Sequence, residues 1–369
     1  MEYLEALLSL LKIFLPLTVI TFSSLIITKL IKINDFLERI ILIFIFNWFQ
    51  IIIIIEFLSL FKKVTPLFIS IMHLAFSIII LAIALFKKIE FKINLEEINK
   101  KIFFFFKYEK TNGVIKLIVV VWLIIILITT FFIGISVPPK NWDGMVAYLV
   151  RVGIWQQQHS INHYYTPVLS QLENHINPGL GLLWVLLFTN SGNILFTVQW
   201  ISLLVILITL YKLLRYLKYG INLSLISVFV FSISNIVILE ACTTQNDLIV
   251  ASFLFIAFYF LIKVLDDKEI VLKNIIIFSL TLGVSIGSKF YAYFFIIGFI
   301  IFLLLYGKNN KLKLTKTLYM IIFTIAGFIL FSSYNFIQNF ITFGDFLGSK
   351  STVDSIRIIN PSIKTLIKK

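Results

Sequence analysis

Long apolar stretches, separated by shorter polar connections, dominate the pattern of hydrophobic and polar positions along this chain. A helix needs about 20 apolar residues to cross the roughly 30 Å hydrocarbon core of a bilayer, and stretches of that length recur throughout the sequence. They lack the alternation that strands of a membrane barrel show. The pattern therefore predicts an all-α, polytopic transmembrane helical bundle of about ten spans. The predicted spans are residues 7–28, 40–61, 65–86, 117–137, 193–211, 221–239, 246–263, 271–288, 290–306 and 317–336.

Composition supports a membrane protein. Hydrophobic residues make up 60% of the 369 residues, against roughly 45–50% in soluble domains. Water is therefore not the main solvent of this chain. The single cysteine, Cys242, excludes an internal disulfide and a cysteine metal cluster.

The net charge of +14 would fit a nucleic-acid partner, but its distribution excludes one. By the positive-inside rule, connections rich in Lys and Arg are cytoplasmic. Residues 136–191, 240–245 and the tail from 337 are then expected on the outer face of a multi-pass protein in the plasma membrane, surrounded by membrane lipids. The basic residues crowd the connections at residues 29–39, 87–116, 212–218, 263–273 and 308–316.

The organisation of the chain changes near residue 116. Residues 1–86 hold three plain apolar spans, which we interpret as an N-terminal addition. Residues 87–116 form a basic linker, whose aromatic run 103–106 predicts an interfacial helix on the anionic inner leaflet. Residues 117–369 form the core of the protein.

The long outer loop, residues 136–191, mixes polar, charged and aromatic residues densely. A connection of this length is usually functional or disordered, and its aromatic content and helical spacing argue against disorder. We expect juxtamembrane helices here, with an amphipathic helix over residues 143–157 whose apolar face carries Met145, Leu149, Val152 and Trp155. Asp143 is either the N-cap of this helix or a functional carboxylate, which acts as a general base or holds a metal.

Other polar residues of the outer face also have two interpretations. His159, His163, His175 and Glu173 have side chains that suit zinc or manganese, but no spacing such as HExxH is present. Hydrogen bonding or headgroup contact is the alternative. Asp247 is either an N-cap for the span that follows or a second carboxylate in a cavity.

At these residues the sequence resembles a known family. The loop is similar to the first outer loop of bacterial membrane glycosyltransferases of the GT-C superfamily, whose relatives include protein mannosyltransferases and aminoarabinose transferases. The residues that carry the resemblance are Pro138, Pro139, Asn141, Trp142, Asp143, Tyr148, Arg151, Val152, Trp155, Gln156, His163 and Tyr164.

Downstream segments extend the resemblance over roughly residues 116–350. Residues 177–179 resemble the proline-containing start of a short half-helix, here 181–189, which is too short to span the bilayer. Gln199 with Trp200, residues 244–247, Ser288 with Lys289, and residues 335–348 resemble further family segments. Gly144, Met145 and Val146 depart from the polar residues that usually follow the aspartate.

The resemblance implies an enzyme that transfers a sugar from a polyprenyl-phosphate-linked donor to a glycan, lipid or protein acceptor. A nucleotide sugar is cytosolic, so an outward-facing site independently requires a donor carried across on lipid. The family's first-loop aspartate makes Asp143 the general base of an inverting displacement, and Lys289 or Arg151 would bind the lipid phosphate. The implied cavity for donor and acceptor is formed by Trp142, Tyr148, Trp155, His163, Tyr164, Glu173 and Asp247.

Some members of the superfamily use a metal with their first-loop acid, and some do not. Magnesium or manganese is therefore left open as a cofactor, and no other cofactor is implied. The candidate ligands are Asp143, His163, Glu173 and His175.

Simpler explanations exist for both cations. Lys289 fits a lysine that snorkels from a helix end, and Arg151 fits an ion pair with Asp143 or Glu173 that only orders the loop.

Two other classes of protein also remain: a transporter or lipid flippase, and a non-catalytic cell-envelope assembly protein. A transporter should carry broken helices in paired repeats, whereas residues 283–289 are a single such segment.

Overall fold

The computed structural model describes residues 2–89, 113–137, 141–310 and 313–356. Every regular element in these ranges is helical. The run 103–106 with most of the basic linker, and Pro138 with Pro139, lie outside the described residues. The α-helices are α1 (Glu2–Leu30), α2 (Phe36–Leu60), α3 (Pro66–Phe86), α4 (Gly113–Ser136), α5 (Val150–Gln158), α6 (Ser170–Glu173), α7 (Asn177–Thr189), α8 (Thr197–Tyr216), α9 (Ile221–Ser232), α10 (Asn235–Ala241), α11 (Asp247–Asp266), α12 (Leu272–Ile286), α13 (Ala292–Asn310), α14 (Leu314–Phe331), α15 (Ser333–Phe343) and α16 (Lys350–Ile356).

The prediction of an all-α, polytopic bundle is confirmed. Among the described residues, seven helices are long and apolar enough to cross a membrane, namely α1, α2, α3, α4, α8, α11 and α14. The pair α9 and α10 would be an eighth span, bent by 68°. The spans predicted at 271–288 and 290–306 correspond to α12 and α13, whose apolar parts are shorter than a full crossing.

The predicted half-helix is α7, which has 13 residues and begins four residues earlier than expected. Pro178 lies in its first turn, where a missing backbone N–H costs nothing. The start of α7 is tied to the end of α12, because Asn177 donates from its backbone N–H to the Gly287 carbonyl at 3.0 Å and from Nδ2 to the Val284 carbonyl at 2.9 Å. This junction fixes the chain segment that leads to Lys289.

The span predicted at 317–336 is interrupted instead of continuous. Helix α14 ends at Phe331, and α15 starts at Ser333. Ser332 lies at the break and donates from Oγ to the Gly283 carbonyl at 2.6 Å. A hydroxyl bonded to the neighbouring helix therefore marks the point at which the span is interrupted.

The three N-terminal helices pack directly on the core. Trp48 of α2 meets Phe253 of α11 edge to face at 5.3 Å between ring centroids, and Phe49 stacks on Phe331 at 4.4 Å. Gly181 of α7 lies so close to the Trp48 ring that an added Cβ would be 2.3 Å from it. The division of the chain near residue 116 stays a prediction, but α2 shares one hydrophobic core with α7, α11 and α12.

Candidate functional site

A small polar cavity lies beside the break that follows α12. Its volume is about 220 Å³. Two segments of the outer loop and the starts of α11 and α13 supply its walls. The lining residues are Tyr148, Asn174, His175, Asn246, Ser288, Lys289, Phe290 and Tyr291.

A larger apolar groove of about 700 Å³ runs between α11 and α13. Its walls extend along α11 from Asp247 to Phe258, a distance of roughly 16 Å at the rise of an α-helix. Lys289 and Tyr291 line both the groove and the polar cavity. The apolar walls are formed by Val250, Ala251, Leu254, Phe255, Phe258, Phe294, Phe295, Phe299 and Phe302.

Lys289 forms an ion pair with Asp247, with 2.7 Å between Nζ and Oδ1. The lysine side chain is 22% exposed and the aspartate side chain 42%. Nζ also lies 5.3 Å from the centroid of the Tyr291 ring, within the range of a cation–π contact. Asp247 is the first residue of α11, one position after the N-cap Asn246. Two residues predicted separately thus meet where the cavity joins the groove.

Arg151 has a buried guanidinium that orders the outer loop. Nη1 donates to the Asn174 carbonyl at 2.7 Å, and Nη2 donates to the His175 carbonyl at 2.9 Å. The guanidinium also lies over the Trp155 ring, 4.8 Å from its centroid. Burial lowers the pKa of Arg151 to about 10, which leaves it charged at neutral pH. The alternative of an ordering role has structural support, although the partners are carbonyls of the cavity wall instead of a carboxylate.

Asp143 lies exposed at the start of the first-loop helix. It makes no capping hydrogen bond among the described residues, so the N-cap interpretation is not realised. The helix predicted over 143–157 begins as a π-helical turn, Gly144–Leu149, and continues as α5. Val152 and Trp155 are buried as expected, whereas Met145 is exposed.

A buried carboxylate that the sequence analysis did not select, Glu240, lies at the end of α10. Gln199 donates from Nε2 to its Oε2 at 3.0 Å, while Gln199 Oε1 accepts from the Ile249 N–H at 3.0 Å. With the Gln245 amide turned to satisfy both neighbours, its nitrogen donates to Glu240 and its oxygen accepts from Asn141 Nδ2 at 2.9 Å. The signal in the sequence was an acidic residue at the end of an apolar span, next to the family-like turn.

This chain of amides connects α8 and α10 to the turn that carries Asp143. Asp143 itself lies within electrostatic range of Glu240, as do Asp247 and Lys289. Asn141 also limits what can follow Asp143, because a Cβ added at Gly144 would be 2.7 Å from its Oδ1. A side chain at position 144 would therefore require Asn141 to move.

Two of the three loop histidines, His163 and His175, have side chains with separate partners. His163 Nδ1 shares a 2.7 Å hydrogen bond with the Thr342 hydroxyl, and His175 Nε2 shares one of 2.9 Å with the Tyr293 hydroxyl. Burial lowers the pKa of each histidine to about 4. Both imidazoles are therefore neutral at physiological pH.

Glu173 anchors the segment that follows α15. Its Oε1 accepts from the Ser349 N–H at 2.9 Å, and its other oxygen accepts from the Thr352 hydroxyl. In the described parts of the chain, no three side chains of His, Cys, Asp or Glu are arranged to hold a metal ion. The four candidate metal ligands are thus not brought together there.

Three other predicted cavity residues are placed elsewhere in the loop. Tyr164 donates to Gln171 Oε1 at 3.1 Å, and Gln171 Nε2 donates to the Val146 carbonyl of the π-helical turn at 2.6 Å. Trp142 is 78% exposed, and Trp155 packs beneath Arg151. Of the predicted site residues, Tyr148, His175, Asp247 and Lys289 line the cavity or the groove.

Comparison with known proteins agrees with the resemblance. A family model described as dolichyl-phosphate-mannose-protein mannosyltransferase matches residues 182–334. None of the curated proteins and none of the solved structures compared with the chain matches it. The matched segment includes Glu240, Asp247 and Lys289. The match supports the predicted resemblance to membrane glycosyltransferases of the GT-C superfamily over these residues. The long apolar helices are those of a multi-pass membrane protein.

Proposed function

We propose that the protein transfers a sugar from a polyprenyl-phosphate donor to an acceptor at the outer face of the membrane, with Asp143 as general base. The observation that carries this proposal is the junction of polar cavity and apolar groove at Lys289 and Tyr291. A polyprenyl-phosphate sugar has the same order of parts. The isoprenoid chain fits the groove, the phosphate fits Lys289 and the sugar fits the cavity.

The dimensions of the two spaces suit such a donor. The cavity of about 220 Å³ is smaller than the roughly 300–1,000 Å³ of sites for drug-sized ligands, which favours a single sugar unit over an oligosaccharide. The groove follows α11 for roughly 16 Å, about half of the hydrocarbon core. It therefore accommodates the first isoprene units and leaves the rest of the chain in the bilayer.

The chemistry of the transfer assigns a role to each charged group. As the bond from the anomeric carbon to the phosphate oxygen breaks, negative charge develops on the leaving lipid phosphate, and the ammonium of Lys289 stabilises it. Asp143 takes the proton of the acceptor hydroxyl that attacks the anomeric carbon from the opposite side. Its exposed position leaves the carboxylate open to a glycan, lipid or protein acceptor.

The distribution of charge supports an outward-facing site. Helix α11 has 20 residues and is roughly 30 Å long, so Asp247 and Lys263 belong to opposite membrane surfaces. At the Lys263 end, Lys263 pairs with Glu38 at 2.8 Å and Lys212 pairs with Asp35 at 2.9 Å. The positive-inside rule favours a cytoplasmic location for that end, which supports a position of Lys289 on the outer side.

The role of Asp143 is tested by sugar transfer in proteoliposomes with a labelled polyprenyl-phosphate sugar. We expect Asp143→Asn to lower the transfer rate by about 10²–10⁴-fold, since an amide cannot accept the proton. Asp354→Asn, which changes an exposed aspartate of α16, is the matched control and should retain the rate. Equal transfer by wild type and Asp143→Asn would rule out Asp143 as the base.

A further inference from the structure

In the ion pair between Lys289 and Asp247, the aspartate carboxylate occupies the contact with the ammonium that the phosphate of the donor would make. Lys289 Nζ already contacts the Asp247 carboxylate at 2.7 Å. Lys289 lines both cavity and groove, whereas Asp247 lines the groove alone. A phosphate at the junction must therefore share the ammonium with Asp247 or displace it.

We propose that Asp247 is an internal counter-anion, a positioning residue that competes with the lipid phosphate for Lys289 and limits how tightly the lipid-phosphate product is held. This inference rests on the proposed function. It deepens that function by assigning Asp247 to product release and not to proton transfer.

The exposure of the two side chains indicates which partner moves. Asp247 is 42% exposed and Lys289 22%, so the carboxylate reaches water more easily than the ammonium. The Tyr291 ring at 5.3 Å gives the ammonium a second contact when the carboxylate turns away. The lysine thus stays at the junction while the aspartate yields its place to the phosphate.

A competitor for the ammonium would help turnover, because an enzyme gains nothing from holding its product tightly. Interactions that bind substrate and transition state equally do not raise the rate of the chemical step, and slow product release limits many enzymes. An unopposed ammonium would hold the phosphate product firmly. Asp247 weakens this binding without removing the cation that stabilises the leaving group.

The test compares binding of farnesyl phosphate, farnesol and inorganic phosphate to the purified full-length protein. We expect Asp247→Asn to bind farnesyl phosphate about tenfold more tightly than wild type. In transfer assays the same variant should show a lower KM for the donor, a lower kcat and stronger inhibition by farnesyl phosphate. Asp266→Asn, which changes an aspartate at the other end of α11, is the matched control and should match wild type.

The lysine variant separates this inference from the proposed function. Lys289→Gln should lose affinity for farnesyl phosphate, and in that background Asp247→Asn should have no effect. Unchanged affinity in Lys289→Gln would contradict the proposed donor site itself. Loss in Lys289→Gln, combined with equal or weaker binding by Asp247→Asn, would overturn the competitor role alone. If Asp247→Asn does not fold, Asp247→Ser replaces it in these measurements. Equal affinity of the wild-type protein for inorganic phosphate and for farnesyl phosphate would contradict a lipid ligand.

Discussion

Arg151 shows how a buried side chain shapes the walls of the polar cavity. Both of its carbonyl partners belong to residues that line the polar cavity, Asn174 and His175. The guanidinium therefore fixes the backbone against which a ligand would pack. A lysine retains the charge but cannot donate in the same planar, forked geometry.

We expect Arg151→Lys to reduce the free energy of unfolding by about 2–3 kcal/mol, because hydrogen bonds of a buried charged group are lost. Thermal unfolding in detergent measures the change. Arg215→Lys is the matched control, because Arg215 also donates to a carbonyl, that of Tyr219, but at an exposed position. Full stability with lost affinity for farnesyl phosphate would instead make Arg151 a phosphate ligand.

His175 should make stability depend on pH. Its pKa is about 4 in the folded protein because of burial, with a smaller contribution from Arg151, against about 6.5 in the unfolded chain. As the pH falls, His175 is therefore protonated at a higher pH in the unfolded chain than in the folded protein. The contribution of neutral His175 to the free energy of unfolding is complete above pH 6.5 and is lost progressively between pH 6.5 and 4. About 2 kcal/mol of it is lost at pH 5.

Thermal unfolding between pH 8 and pH 5 checks this expectation. His175→Gln cannot titrate, so its stability should fall less steeply than that of wild type over this range. Identical slopes for the two proteins would show that other groups carry the pH dependence.

At the level of single residues, the sequence predicted which side chains belong to the candidate site better than it predicted the atoms that they contact. Asp247 and Lys289 were selected from the family resemblance, and their ion pair joins positions 42 residues apart. The carbonyl partners of Arg151 could not be predicted, because any of the loop carbonyls is chemically equivalent in the sequence. Glu240 was missed because its two amide partners come from α8 and from the turn before α11.

Helix breaks place the site, and the break after α12 depends on a glycine. A Cβ added at Gly287 would be 2.4 Å from Ser332 Oγ and 2.6 Å from Asn177 Nδ2. Three elements therefore meet at this position without room for a side chain. Lys289 follows two residues later, so the geometry of the junction sets the position of its ammonium.

We expect Gly287→Ala to destabilise the protein by about 1–3 kcal/mol through overpacking and to weaken binding of farnesyl phosphate by moving Lys289. Unfolding and binding measured on the same preparation check both effects. Gly220→Ala is the matched control, since a Cβ there meets no atom within 4 Å. A variant with unchanged stability and binding would contradict the close packing at this junction.

Some breaks were visible in the sequence, and others were not. Ser288 and Lys289, after Gly283 and Gly287, marked the break after α12, because they resemble a family segment that contains a helix break. The break at Ser332 was missed, since the two adjacent serines, Ser332 and Ser333, hardly change the hydropathy of the stretch. The π-helical turn at Gly144–Leu149 was also missed, because its periodicity differs too little from that of an α-helix over six residues.

For the whole molecule, hydropathy predicted the architecture but not the packing of its parts. Apolar stretches require helices in a bilayer whatever their neighbours, so the all-α bundle followed from the sequence. The number of full crossings did not, because α12 and α13 are short although their sequences are apolar. The contacts of α2 with Phe253 and Phe331 depend on side-chain shape, which a hydropathy pattern does not contain.

The orientation of the whole chain can be tested with single cysteines on a Cys242→Ser background. A thiol reagent that cannot cross membranes should label Gln157→Cys on intact cells and leave Lys218→Cys unlabelled until the membrane is opened. Both positions are exposed in the structure, so access to the reagent depends on the side of the membrane. The reverse pattern would place Lys289 on the cytoplasmic side and contradict a donor in the outer leaflet.

The meeting of cavity and groove at Lys289 has a consequence for selectivity. If the donor lies as proposed, the protein contacts the sugar, the phosphate and the first isoprene units in the groove, while the rest of the lipid stays in the bilayer. Donors that differ far along the isoprenoid chain would then be equivalent substrates. A second phosphate, or a changed first isoprene unit, would alter the part of the molecule that the protein contacts. The protein would thus select lipids by the sugar phosphate and the first isoprene units, and the total length of the isoprenoid chain would not affect binding.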